Sequence, residues 1–167
     1  MNHKEFTEQI IPIGDKAYRL ARNILRDGVE AEDVVQDVME QMWSRRGVLD
    51  RIGNPEAYVM RSVRNAALDR QKLIRLRAGH LQNVAHTSDR FTTSESGFDL
   101  QELVAEYVAT LSEQQRTVLH LRDVEGYEFD TIGEILQMES GAVRVALSRA
   151  RKEIRERLQR AIEYGTK

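Results

Sequence analysis

Apolar residues recur at three- and four-residue intervals along nearly the whole chain, and the pattern fails in one place, between about Ala78 and Phe98. That spacing puts apolar side chains on one face of a helix, not on alternate sides of a strand. Only 2 of the 167 residues are proline, so little interrupts the helices. The expected fold is all-α, with two small helical domains joined by a flexible linker. Residues 1–77 make the first domain, 78–98 the linker and 99–167 the second. The linker reads AGHLQNVAHTSDRFTTSESGF, rich in small and polar residues.

Phe6, Ile10 and Ile13 begin the first apolar stripe, and Tyr18, Leu20, Ala21, Ile24 and Leu25 continue it. Pro12 divides this region, and Asp27-Gly28 reads as a helix stop. A second helix spans about Glu30 to Arg45, with Val34 or Val35, Val38 and Met42 facing the core. Trp43 reads as core more readily than as a stacking platform. Ser44 to Gly53 reads as a loop. Asn54-Pro55 opens a third helix, Asn as N-cap and Pro at the first helical position, reaching about Arg75. Val59 or Met60, Val63, Ala67 and Ile74 can face its core, while Arg61, Arg64, Asn65, Leu68 and Lys72 share another face.

In the second domain a helix begins near Asp99. Ser112 to Gln115 has the form of a capping box, and Gly126 ends the helix that it opens. Phe129, Ile132, Ile135 and Leu136 mark a short helix, followed by a turn at Gln137 to Glu139. Next comes ESGAVRVALSRARKE. At about 100° per residue, Val143, Leu147, Ala150 and Ile154 form one stripe, and Arg144, Val145, Ser148 and Lys152 lie opposite. A short helix, a tight turn and a longer basic helix make a helix-turn-helix pattern, whose second helix can enter a DNA major groove. Small Ser140, Gly141 and Ala142 allow close backbone approach, and the helix N-terminus favours a phosphate. Arg144 suits guanine and Val145 a thymine methyl. Arg149, Arg151 and Lys152 suit phosphates or solvent.

Formal net charge is only -2, but it is segregated. Asp27 to Glu40 holds six acids and no base; Arg61 to Arg77 holds six bases and one acid; Ser140 to Arg160 holds seven bases and two acids. Such blocks imply separate surfaces with separate partners. One basic block alone reads as a solvated face; two on two helices point to nucleic acid. Cysteine is absent, which excludes disulfides and thiolate metal sites. His3, His80, His86 and His120 are scattered, and neither a metal motif nor a nucleophile–base pair is visible. No catalytic residue, metal or cofactor is expected. No apolar run approaches the roughly 18–20 residues of a spanning helix. MNHKEFTEQI lacks the apolar core of a signal peptide, so a cytoplasmic location without membrane insertion is expected.

LSEQQRTVLHLRDVEGYEFDTIGEILQMESGAVRVALSRARKEIRERL resembles the fourth conserved region of an extracytoplasmic function (ECF) sigma factor. GVEAEDVVQDVMEQMW with NPEAYVMRSVRNAALDR resembles the second. The run NPEAY…RNAALD is similar to the iron-uptake-type subgroup. The resemblance implies an alternative sigma factor, not an enzyme, that binds core RNA polymerase and directs it to promoters. It implies that Asp33, Gln36, Asp37 and Glu40 dock on the β′ clamp helices, and that the fourth region meets the β flap. Arg61, Arg64, Asn65 and Lys72 would meet minus-ten DNA, with the 44–53 loop capturing an unstacked base. Ser140, Gly141, Ala142, Arg144, Val145, Ser148, Arg149 and Lys152 would meet the minus-thirty-five element. An anti-sigma factor is an implied further partner. The alternative is a two-domain helix-turn-helix regulator that does not bind polymerase. The chain departs from the family at Gln137, where Gly is usual in the turn, at Gly133, where Ala is usual, and at Glu139, where Ser is the usual N-cap.

Overall fold

The computed structural model describes residues 1–80 and 99–165. All regular structure among them is helical, and Cα proximity divides the chain into two compact units. Residues 81–98, most of the expected linker, lie outside the described residues. No helix among the described residues is long and apolar enough to cross a membrane.

The N-terminal unit is built on α2 (Gly14–Leu25), α3 (Gly28–Ser44) and α5 (Pro55–His80), each packed on the other two. Ala17, Ala21, Ala31, Ala57 and Ala67 are fully buried, so the helix backbones pack closely. Leu20, Ile24, Val34, Val38, Met42, Val59, Met60 and Val63 fill the rest of the core. Val34 therefore takes the core position for which Val35 was the alternative, while Val59 and Met60 both enter. α1 (His3–Gln9) opens with a reciprocal cap: Glu5 N–H donates to Asn2 Oδ1 (2.9 Å) and Asn2 N–H donates to Glu5 Oε2 (2.8 Å). Pro12 sits in a 3₁₀ turn, Ile11–Ile13, that separates α1 from α2.

Four readings of this half need correction. Asp27-Gly28 is a helix start. Arg26 takes the left-handed conformation (φ 56°) that ends α2, and Asp27 Oδ1 accepts from Val29 N–H (2.9 Å) and Glu30 N–H (3.1 Å) to cap α3. Asp satisfies the free amides of a helix N-terminus, which outweighs the glycine beside it as a breaker. The loop from Ser44 to Gly53 contains a turn of helix, α4 (Arg46–Leu49), because Leu49 is buried against the unit. Trp43 is about one-third exposed, and its ring covers Phe6 edge-on at 5.1 Å. Ile74 is also about one-third exposed; α5 runs on to His80, but its fully buried stripe ends at Ala67. Asn54 caps α5 as expected, its Oδ1 accepting from Ala57 N–H at 3.1 Å.

The second half of the chain contains α6 (Leu100–Thr110), α7 (Glu113–Leu119), α8 (Phe129–Leu136) and α9 (Ser140–Gly165), and all but residues 134–136 of α8 group as the C-terminal unit. Asp99 caps α6, and Ser112 Oγ accepts from Gln115 N–H at 3.2 Å to cap α7. α7 passes into a π-helical turn, His120–Val124, which stops at Gly126 (φ +74°). α6 and α7 pack on α9.

The joint between α8 and α9 is tight. Gln137 adopts the left-handed conformation (φ 55°), and Met138 N–H donates to Gly133 O at 2.9 Å. The chain folds back so closely that a Cβ on Gly133 would stand 2.6 Å from the Met138 carbonyl oxygen. Glycine at 133 is thus a requirement of this turn. At Gln137 the departure runs the other way, because a side-chain-bearing residue occupies a conformation that glycine adopts without cost.

Gly133→Ala is therefore expected to destabilise the C-terminal unit by about 1–3 kcal/mol, since backbone must shift to admit one methyl. Gln137→Gly is expected to stabilise it by about 0.5–1 kcal/mol, the left-handed strain relieved less the entropy glycine adds to the unfolded chain. Urea unfolding followed by circular dichroism checks both. Unchanged midpoints for both variants would contradict this account of the turn.

Candidate nucleic-acid interface and acidic face

The first turns of α9 present two sides. Val143, Ala146, Leu147 and Ala150 are buried, whereas Gly141, Ala142, Arg144, Val145, Ser148, Arg149 and Lys152 are exposed. The exposed set mixes three cations with an apolar Val145 and small residues at the helix start. Such a surface can approach a phosphate backbone and read base edges. Lys152 lies 3.9 Å from Glu156 one turn on, a weak solvated pair.

The residues around this face modify it. Ser140 is half-buried, and its hydroxyl donates to Asp130 Oδ1 near the start of α8. Ser140 thus ties α9 to α8, and Asp130 joins Glu139 as an acid near the helix start. Arg151, expected at phosphates or solvent, instead makes a two-pronged ion pair with Asp123, its Nε donating to Oδ2 at 3.1 Å. That hydrogen bond raises the Arg151 pKa further above its ordinary value. Asp123 extends from the π-helical turn, which periodicity alone does not predict.

Two residues at this face had no role in the sequence reading. Phe129, one of the residues that mark the short helix, is half-buried. The guanidinium carbon of Arg144 lies over its ring, 4.7 Å from the centroid, and that of Arg122 lies 4.6 Å from the same centroid. Arg122 is held in turn, donating to Tyr127 O at 2.8 Å. The only hint in the sequence is an aromatic residue at the first position of the short helix, where the ring can stay partly outside the core.

In the N-terminal unit the basic side of α5 is graded. Asn65 and Lys72 are exposed; Arg61 and Arg64 are half-buried, with Arg61 5.9 Å from the Tyr58 ring centroid. Asp33, Gln36, Asp37 and Glu40 are all exposed on α3. Gln36 and Glu40 line an open groove with His3, Phe6, Ile11 and Trp43. Arg46 lies 4.2 Å from the Trp43 ring centroid.

The acidic and basic blocks are not fully separate. Arg70 of α5 reaches α3, pairing with Glu30 (2.5 Å), Asp33 (2.9 Å) and Asp37 (3.6 Å). Hydrogen bonds to Glu30 and Asp33, then their negative charge, raise its pKa above the ordinary value despite partial desolvation. Arg70 therefore belongs to the acidic cluster, in contrast to its place among the bases of its own helix. Two of the four acidic-face residues, Asp33 and Asp37, share it, while Gln36 and Glu40 border the groove.

Comparisons with known proteins bear on both units. Residues 13–77 match Sigma-70 region 2, and residues 101–154 match Sigma-70, region 4. The chain is 27% identical over 150 residues to the ECF RNA polymerase sigma factor SigL of Mycobacterium tuberculosis, covering 85% of this chain and 82% of that one. It is 26% identical over 156 residues to the RNA polymerase sigma-E factor of Streptomyces avermitilis, covering 93% and 86%. Among solved structures, the sigma factor RpoE from Bartonella quintana, in complex with the anti-sigma factor NepR, shares the fold. Its TM-score is 0.71 at 21% identity, covering 93% of this chain and 98% of that one. CnrH, in complex with the cytosolic domain of CnrY, has a TM-score of 0.64 at 20% identity, covering 95% and 90%.

Arg70→Met is expected to destabilise the N-terminal unit by about 1–2 kcal/mol, because it leaves three neighbouring carboxylates without their shared cation. Added salt should shrink the loss by screening their repulsion. Thermal unfolding at low and high salt checks this, and a loss independent of salt would contradict the electrostatic account.

Proposed function

We propose how the work is divided in this chain, which belongs to the sigma-70 family as a sigma factor of the extracytoplasmic function (ECF) type. It is an alternative sigma factor that directs transcription initiation at particular promoters, and its partners are core RNA polymerase and promoter DNA. Residues 1–77 serve polymerase and the minus-ten element, and residues 99–167 serve the minus-thirty-five element and the β flap. The observation that carries the division is the exposed face of α9, which combines Arg144, Arg149 and Lys152 with small residues at the helix start.

On the α9 face, Arg144 reads guanine through two hydrogen bonds, worth about 1–3 kcal/mol of discrimination, and Val145 meets a thymine methyl. Arg149 and Lys152 neutralise phosphates. Ser148, Gly141 and Ala142 let the helix sit close, and Ser140 acts through its bond to Asp130. On α5, Arg61, Arg64, Asn65 and Lys72 follow the minus-ten strand. The 44–53 segment takes up an unstacked base, a few kcal/mol of unstacking being offset by the pocket that receives it. On α3, Gln36 and Glu40, with Asp33 and Asp37 behind them on Arg70, dock on the β′ clamp helices.

The chain performs no catalysis of its own, works in the cytoplasm and is restrained by an anti-sigma factor. Support for that partner comes from two relatives of the same fold, RpoE and CnrH, whose structures are complexes with NepR and with the cytosolic domain of CnrY. The iron-uptake-type subgroup is proposed from the NPEAY…RNAALD run alone.

The purified chain should co-migrate with core polymerase on size exclusion. A chain that stays separate with no inhibitor present would favour the reading as a two-domain regulator. Within the holoenzyme, Arg144→Ala should reduce discrimination between promoter sequences, whereas Lys152→Ala should weaken binding evenly and lower the salt slope by about 1. Equal losses on every sequence for Arg144→Ala would remove its base-reading role.

A further inference from the structure

We infer that Phe129 is a positioning residue for promoter reading, its ring holding the Arg144 guanidinium in place for base contact. The inference rests on the proposed base-reading role of Arg144 and adds a residue on a different helix to it.

An arginine side chain in solvent samples many rotamers, and each immobilised side chain costs about 0.5–1.5 kcal/mol on binding. A surface that holds the guanidinium beforehand removes part of that cost. The Phe129 ring offers such a surface, because the π face is negative and attracts a cation. Arg144 lies 4.7 Å from its centroid. Stacking leaves the N–H groups at the guanidinium edge, and it is this edge that forms two parallel bonds to guanine.

The ring is itself fixed in three ways. Phe129 opens α8, and the close α8–α9 turn at Gly133 and Met138 fixes that helix against α9. The hydroxyl of Ser140 bonds Asp130, next in sequence to Phe129, so the two helix starts are joined beside the stack. Arg122 also lies over the ring, at 4.6 Å, and its Nη1 donates to Tyr127 O at 2.8 Å.

The test uses holoenzyme reconstituted from the full chain and core polymerase. It selects bound duplexes from a pool randomised upstream of a fixed minus-ten sequence, followed by sequencing. Arg144→Ala should relax preference at one or two base pairs. Phe129→Leu, which keeps an apolar side chain but removes the π face, should relax the same base pairs by about two- to fivefold. Phe129→Tyr should restore them, and no other positions should change. In the free full-length chain, the Arg144 Cδ protons should show a ring-current shift that Phe129→Leu abolishes. This readout stands even if the variant lowers stability.

Relaxation by Arg144→Ala with no change in Phe129→Leu would overturn the inference while leaving base reading by Arg144 intact. Sharper discrimination in Phe129→Leu would overturn it too, showing that the ring sequesters Arg144 from DNA. No relaxation in Arg144→Ala would remove the base-reading role and the inference together. Arg144 protons without a ring-current shift in the parent chain would overturn the contact itself.

Discussion

The close approach of the Met138 carbonyl to Gly133 sets the geometry on which the DNA-facing half depends. With only hydrogen at the Gly133 α-carbon, the chain doubles back within one turn, and α9 begins directly beside α8. The Ser140–Asp130 bond and the Arg144–Phe129 stack both span that joint. Each needs the helix starts to be neighbours, so a wider turn would part them. The left-handed Gln137 is a local strain at the same joint, tolerated because burial of Ile132, Val143 and Leu147 holds the flanking helices.

A comparable constraint acts in the N-terminal unit through Arg70. Three carboxylates within one helical surface repel one another, and a part-buried guanidinium from α5 offsets this. The helix proposed to face polymerase is thereby tied to the helix proposed to face minus-ten DNA. The pairing also distinguishes the acids: Asp33 and Asp37 have an internal partner, whereas Glu40 and the neutral Gln36 line a groove together with Phe6 and Trp43. Recognition at such a surface combines apolar contact with charge complementarity, the second term setting orientation and encounter rate more than affinity.

Much of this was legible in the sequence where the signal is local. The Val143, Leu147 and Ala150 stripe follows from periodicity, and the start of α5 follows from Asn54-Pro55. The exposure of Arg144, Val145 and Lys152 follows from the same arithmetic as the buried stripe. What escaped depends on contacts between segments. Arg70 counts as a basic residue until α5 is packed on α3. Gly133 is a departure from family habit until the Met138 carbonyl is placed against it. Trp43 and Phe129 look like core residues because aromatic side chains usually are, and only packing shows each ring partly outside and carrying an arginine. Asp27-Gly28 misled for a different reason: its cap and its glycine give opposite signals, and the hydrogen bonds to Val29 and Glu30 decide between them.

The acidic face proposed for polymerase lies on α3, and the basic faces proposed for DNA lie on α5 and α9. The most direct test is transcription from purified parts, with core polymerase, fragmented genomic DNA from the source organism, nucleotides and this chain, and the RNA 5′ ends sequenced. The account predicts a small set of discrete start sites that appear only when the chain is added and share two upstream sequence elements at fixed spacing. The same starts with and without the chain, or added starts with no common upstream sequence, would contradict it.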